Sequence, residues 1–163
     1  MFEPLKKLCD NVKNLKSEKL LIGIIADKQI QHYILDLNRF DQLFKEGIDA
    51  NGEYLGNYSY FTDSVRRGES FAYGGLSSKK TINDHITLYD TGDFYKSFFV
   101  RVYKDGFTIV ANTIVDNGKD LASEDLYGKD IIGLSDESIE KLFEKITPIL
   151  VKTIRETILR GVL

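Results

Sequence analysis

The chain has 163 residues, 42% hydrophobic and 29% charged, the proportions of one globular domain able to bury a sizeable core. Its net charge of −3 argues against a general nucleic-acid binder, and the basic pairs Arg66-Arg67 and Lys79-Lys80 are small. The single Cys9 excludes an internal disulfide framework and fits a reducing compartment. No apolar run approaches the roughly 18 residues of a membrane span; LLIGIIA (20–26) is too short and ends at Asp27. The N-terminal stretch has basic residues but no apolar run before a small-residue cleavage site, so no signal peptide is expected. These features place the protein in a cytoplasm, or its assembly there.

Residues 1–46 read as helical. Glu3-Pro4 suits a first turn, where proline's missing N–H goes unused. Leu5, Leu8, Val12 and Leu15 recur at helical spacing. Ser17 is placed to cap a second helix carrying Leu20, Leu21, Ile24 and Ile25, then Ile30, Tyr33, Ile34 and Leu37. These two apolar sets do not share a face, which predicts a bend near 26–28. LLIGIIA also admits a buried strand. Asn38 reads as a fresh cap for RFDQLFKEG, and Gly47 as its end.

Residues 47–89 change character: they are rich in Gly, Ser, Asn and Tyr and have no sustained period. Long unstructured loops are uncommon in compact domains and usually serve function or interaction. The aromatics Tyr54, Tyr58, Tyr60, Phe61, Phe71 and Tyr73, with Arg66 and Arg67, make this an ordered interaction loop that needs a surface to pack against.

Residues 90–115 predict a short helix and a hairpin. In LYDTGDFYKSF, Asp90 or Thr91 serves as an N-cap, Asp93 adds favourable charge to the first turn, and Phe94 and Phe98 share a face. FFVRVY and FTIVANT flank Lys104-Asp105-Gly106, a hairpin turn in which glycine accepts positive φ. Phe98, Val100 and Val102 form the wholly apolar face expected to meet the core; Phe99, Arg101 and Tyr103 form the other. An irregular connection (119–134) leads to a helix over 135–160, capped by Ser135 and striped by Ile139, Leu142, Phe143, Ile146, Leu150, Ile154 and Ile158. Pro148 predicts a kink or restart, with Thr147 as a new cap. Glu137 with Lys141, and Glu156 with Arg160, are favourable i,i+4 pairs. The expected fold is one α+β domain: N-terminal helices and a long C-terminal helix on a small antiparallel sheet that contains the 98–113 hairpin.

Asp90-Thr91-Gly92 is also the signature of aspartic proteases, where two such loops bring two carboxylates onto one water. That chemistry needs a β-rich scaffold and a second triplet, so only a dimer of this chain could perform it. Asp49, Asn51 and Glu53 alternate around Gly52 in the manner of a calcium loop, but the twelfth position is Tyr60 rather than Glu, and a tight turn fits better. His32 and His85 have no His or Cys at ligand spacing, which predicts a helix-face and a loop histidine and no metal or cofactor. Ser97 and Cys9 lack a visible base, and Tyr73-Gly74-Gly75 is only a turn. The expectation is a non-enzyme.

The ordered set LDLNRFDQLFKEGIDANGEYLGNYSYFT (35–62), a Gly/Lys/Ser-rich stretch, ITLYDTGDFYKSFFVRV (86–102) and a hairpin resembles neck or tail-completion proteins of tailed double-stranded DNA bacteriophages. Within these minor-tail and virion-morphogenesis families, the recurring element corresponds to Leu88, Thr91-Gly92, Phe94, Ser97 and Phe98-Phe99, with Asp90 beside it. The longer form, including DL...YG.DI.GL, resembles versions from phages of gut Bacteroidetes. The resemblance spans roughly residues 35–134; the long terminal helices depart from the smallest members. It implies a structural virion protein of the neck, assembled in the bacterial cytoplasm as a ring of about six or twelve copies. Its partners would be itself, portal-side connector and tail proteins, and passing double-stranded DNA without sequence-specific binding; no membrane is implied. Slight acidity suits a channel wall along which DNA slides. The alternative is a protein–protein interaction module outside any virion, with a dimeric aspartic protease further off.

Overall fold

The computed structural model describes residues 3–58, 85–115, 118–160 and 162. Tyr60, Phe61, Arg66, Arg67, Phe71 and Tyr73 lie outside the described residues, as does most of the expected 47–89 loop. The α+β composition is as expected: five α-helices, the last of them long, and one two-stranded antiparallel sheet among the described residues.

Helices α1 (Glu3–Lys13), α2 (Ser17–Ile25) and α3 (Lys28–Asp36) open the chain, so LLIGIIA is helical. The bend falls where expected, and Asp27 makes it: its carboxylate accepts the N–H groups of Gln29 (2.8 Å) and Ile30 (3.4 Å), capping α3. Ser17 does not cap α2. It is the helix's first residue, preceded by Lys16, which makes no side-chain cap bond.

Asn38 starts no new helix either. The chain continues from α3 into a ten-residue π-helix, Leu37–Glu46. The wider π winding, with hydrogen bonds from i to i+5, sets residues five apart on one side. Leu37 and Gln42, and likewise Asn38 and Leu43, are thereby buried together. Gly47 ends the segment in the left-handed region (φ 67°), and a Cβ there would meet the His85 ring at 2.5 Å, so glycine is required twice over.

The short helix α4 (Asp93–Lys96) feeds strands β1 (Phe99–Val102) and β2 (Phe107–Val110), paired Phe99↔Val110 through Val102↔Phe107. The turn closes with the Tyr103 N–H donating to the Gly106 carbonyl (2.8 Å), but without the positive φ expected of Gly106, which is not among the left-handed glycines. Phe98 and Ile109 are buried and Val100 and Val102 half-buried, whereas Phe99, Arg101 and Tyr103 are exposed, as the alternation required.

Helix α5 (Asp136–Leu159) starts at the predicted cap, the Ser135 hydroxyl oxygen accepting the Ser138 N–H (3.3 Å). Pro148 neither ends nor restarts it: α5 runs 24 residues through it. The proline is exposed, so the carbonyl it leaves unbonded can meet water, and Thr147 caps nothing, donating instead to the Phe143 carbonyl (2.7 Å). Its core stripe is narrower than the periodicity suggested. Ser138, Leu142 and Ile146 are buried, but Ile139 and Phe143 face out. Lys141 pairs with Glu137 (2.8 Å) as expected, while the ion partner of Glu156 is Lys152 (3.9 Å) rather than Arg160.

One core joins these parts. Ile24, Ile30, Ile34, Leu43, Leu88, Phe94, Phe98, Ile131, Leu142 and Ile146 belong to a single buried cluster.

Candidate functional site

The Asp-Thr-Gly stretch forms a junction that turns the chain from loop into hairpin. The cap position of α4 is Gly92 (φ 85°) rather than Asp90 or Thr91, because the chain must reverse in a left-handed conformation there. Thr91 still meets the first orphan donor, its hydroxyl oxygen accepting the Asp93 N–H (3.3 Å) while donating to the Asp93 carboxylate. The Thr91 hydroxyl and the Lys96 ammonium, 3.0 Å away, hold the exposed Asp93 carboxyl below the usual carboxylate range. Phe94 and Phe98 stack edge to face at 4.9 Å, as their spacing predicted.

Ser97 fastens the junction to the hairpin. Its hydroxyl donates to the Phe94 carbonyl (2.6 Å) and accepts the N–H of Asn112 (2.9 Å), at the exit from β2. Leu88 is buried with φ 53°, the only non-glycine residue with positive φ among the described residues. Such a conformation costs on the order of 1 kcal/mol and persists where surrounding contacts dictate it.

Those contacts come from Thr87 and Tyr95, which the sequence did not mark out, and from Tyr58, which it placed on the interaction loop. Thr87 is buried; its N–H donates to the Tyr58 hydroxyl (3.1 Å), and its own hydroxyl lies 3.2 Å from the same oxygen. Its carbonyl accepts the Tyr95 hydroxyl (2.5 Å). Tyr95 is buried, stacks on Tyr89 (5.0 Å) and Phe40 (5.9 Å), and offers its carbonyl to Arg39 (3.1 Å). Burial pushes its phenol well above the ordinary tyrosine value, so it is a neutral donor at any physiological pH. The only sequence signal was the density of aromatics around the triplet. Tyr58 is thus an internal strut, whereas Tyr54 is 56% exposed and bonds Asn57.

A cleft of about 320 Å³ separates the junction from the segment after β2, lined by Asp90, Thr91, Asp93, Asn112 and Ile114. A wider open groove of about 900 Å³ lies between α2, α3 and α5, where Lys145 sits over the Tyr33 ring and His32 contributes to the wall. The sequence did not point to this groove.

The turn reading of 49–53 holds. The Asp49 carboxylate accepts the N–H groups of Asn51 and Glu53, both at 2.8 Å, and Gly52 takes φ 75°. Among the described residues no group of three His, Cys, Asp or Glu could hold a metal ion. His85 lies 3.0 Å from the Phe44 carbonyl, and Cys9 is exposed on α1. No helix of the described residues is long and apolar enough to cross a membrane.

Compared with known proteins, the chain matches no family model, no curated protein and no solved structure.

Proposed function

We propose that this chain is a structural, non-catalytic component of the head-to-tail neck of a tailed bacteriophage, a tail-completion or connector subunit working as a ring. It would join portal-side connector to tail and line the DNA channel, contacting DNA without reading its sequence. The observation that carries this reading is how the residues of the resemblance are used. Leu88, Thr91, Gly92, Phe94 and Ser97 brace a loop-to-hairpin junction by burial, backbone geometry and hydrogen bonds. That is the use a mechanical subunit would make of them. Large apolar side chains that remain exposed, including Phe143 (57%) and Ile114 (60%), give the surface something to offer neighbours.

Electron microscopy of the purified protein tests the reading, together with detection of the chain in purified virions. Closed rings and virion association are expected. A lasting monomer, absent from particles and indifferent to portal and tail proteins, would return the chain to a non-virion interaction module. Acid-optimum, pepstatin-sensitive cleavage abolished by Asp90→Asn would make it a protease.

A further inference from the structure

We infer that copies of this chain associate head to tail, the outer face of the β1–β2 hairpin on one protomer meeting the outer face of the first turns of α5 on the next. This rests on the ring reading above and names the surfaces that would close it. On the hairpin, the pairings Phe99↔Val110 and Arg101↔Thr108 put Phe99, Arg101 and Tyr103 on the side away from the buried Phe98 and Ile109. Phe99 and Tyr103 are each 45% exposed. The Arg101 guanidinium lies 5.7 Å from the Phe99 ring centroid and has no carboxylate partner among the described residues. Exposed aromatics around an arginine are the composition that interface centres favour.

The α5 face is complementary. Ile139 and Phe143 are exposed one turn apart, and Asp136, Glu140 and Glu144 interleave with them at helical spacing, all exposed. The nearby cations point elsewhere. Lys141 bonds Glu137 and approaches Asp41 and Glu46, and Lys145 sits over Tyr33. Among the described residues, this face therefore pairs apolar bulk with carboxylates that no lysine bonds, and the hairpin pairs apolar bulk with a cation that no carboxylate bonds. Either face docked against its own copy would oppose like charges, a costly arrangement. Docked against each other they match, and a contact between two different faces repeats from copy to copy until it closes.

The test uses the full-length protein by sedimentation velocity, with Phe99→Asp blocking the hairpin face and Phe143→Asp blocking the helix face. Both residues are exposed, so native circular dichroism is expected. Wild type should assemble, and each variant alone should associate at least about tenfold more weakly. An equimolar mixture retains one good contact per pair and should stop at a one-to-one dimer. In single chains Arg101→Glu or Glu140→Arg should weaken assembly and the double swap restore it, which keeps the proposal testable if an aspartate variant misfolds. Assembly that survives these substitutions, or a mixture that stays monomeric, overturns the contact and leaves the ring reading standing. A wild type that never assembles, or binds only some other macromolecule through these faces, overturns both.

Discussion

Helix α1 and the π-helix, EPLKKLCDNVK and LNRFDQLFKE, are both amphipathic, with apolar residues on one side and charges on the other. Their fates differ. The π-helix buries Leu37, Asn38, Gln42 and Leu43, and α1 buries nothing. Gln42 donates to the carbonyls of Asp49 (3.3 Å) and Gly133 (3.2 Å) and accepts the Ser135 N–H (3.1 Å). Asn38 donates to the Ile131 carbonyl and accepts the Gly133 N–H, both at 3.3 Å. The π-helix thus binds the connection before α5 into the core through amides that leave few options. Helix α1 rests on half-buried Leu8 and on Asn11, whose amide donates to the Ile158 (2.8 Å) and Arg160 (3.2 Å) carbonyls near the end of α5. Leu5 and Val12 stay 58% and 51% exposed. An amphipathic pattern states that a face is worth covering; whether anything covers it is decided elsewhere in the chain.

The contrast can be broken most forcefully at Gln42. Gln42→Ala leaves the buried Ser135 N–H without its partner and opens a hole, which should cost about 2–4 kcal/mol in urea unfolding. A loss below about 1 kcal/mol would show that the amide network is replaceable. Gly92→Val comes next. It forces a β-branched residue to φ 85° and brings its Cβ to 3.0 Å from the Tyr89 hydroxyl, so about 1–3 kcal/mol should be lost and assembly disrupted with it. Unchanged stability and assembly would remove the structural role given to the junction.

Tyr95→Phe should cost about 1 kcal/mol through the bond to Thr87, and it carries a pH signature. Burial raises the folded pKa above the unfolded value of about 10. Above that pH the unfolded chain releases a proton that the native state keeps, so the contribution is complete below about pH 10 and is lost as pH rises beyond it. Unfolding midpoints measured from pH 8 to 11 should fall less steeply for Tyr95→Phe than for wild type; parallel curves would mean the phenol is not shielded. At the other extreme, Leu5→Ser with Val12→Ser on α1 should stay within about 0.5 kcal/mol of wild type, as surface changes do. A larger drop would reveal a covered face. Asp90→Asn should be the quietest, since the side chain is exposed and Thr91, not Asp90, meets the Asp93 N–H. A clear assembly defect would mean that the Asp90 charge matters.

Part of the local chemistry was readable in the sequence, although Ser17 and Thr147 cap nothing. Asp-Gly made the hairpin turn, Ser135 capped α5, Gly47 ended a helix, and the alternation through 98–103 chose the inward face. Each of these is settled by residues within a few positions of one another. Asn38 was misread for the same reason. Asparagine in a helical stretch is locally a cap, and only the loop carbonyl and amide that it binds, more than 90 residues later, give it a place inside. Ile139 and Phe143 were misassigned to the core because periodicity marks apolar positions without fixing how wide a stripe the neighbours cover.

The sequence by itself therefore determined the hairpin and which of its sides is greasy, the cap that starts α5, and the glycine that ends the π-helix. Tertiary structure alone decided the π winding, the tyrosine–threonine clasp behind the Asp-Thr-Gly turn and which apolar faces stay bare. The physical reason is range. Turn and cap energies depend on neighbours along the chain, whereas burial and the satisfaction of inward amides depend on groups that come near only after the chain has folded.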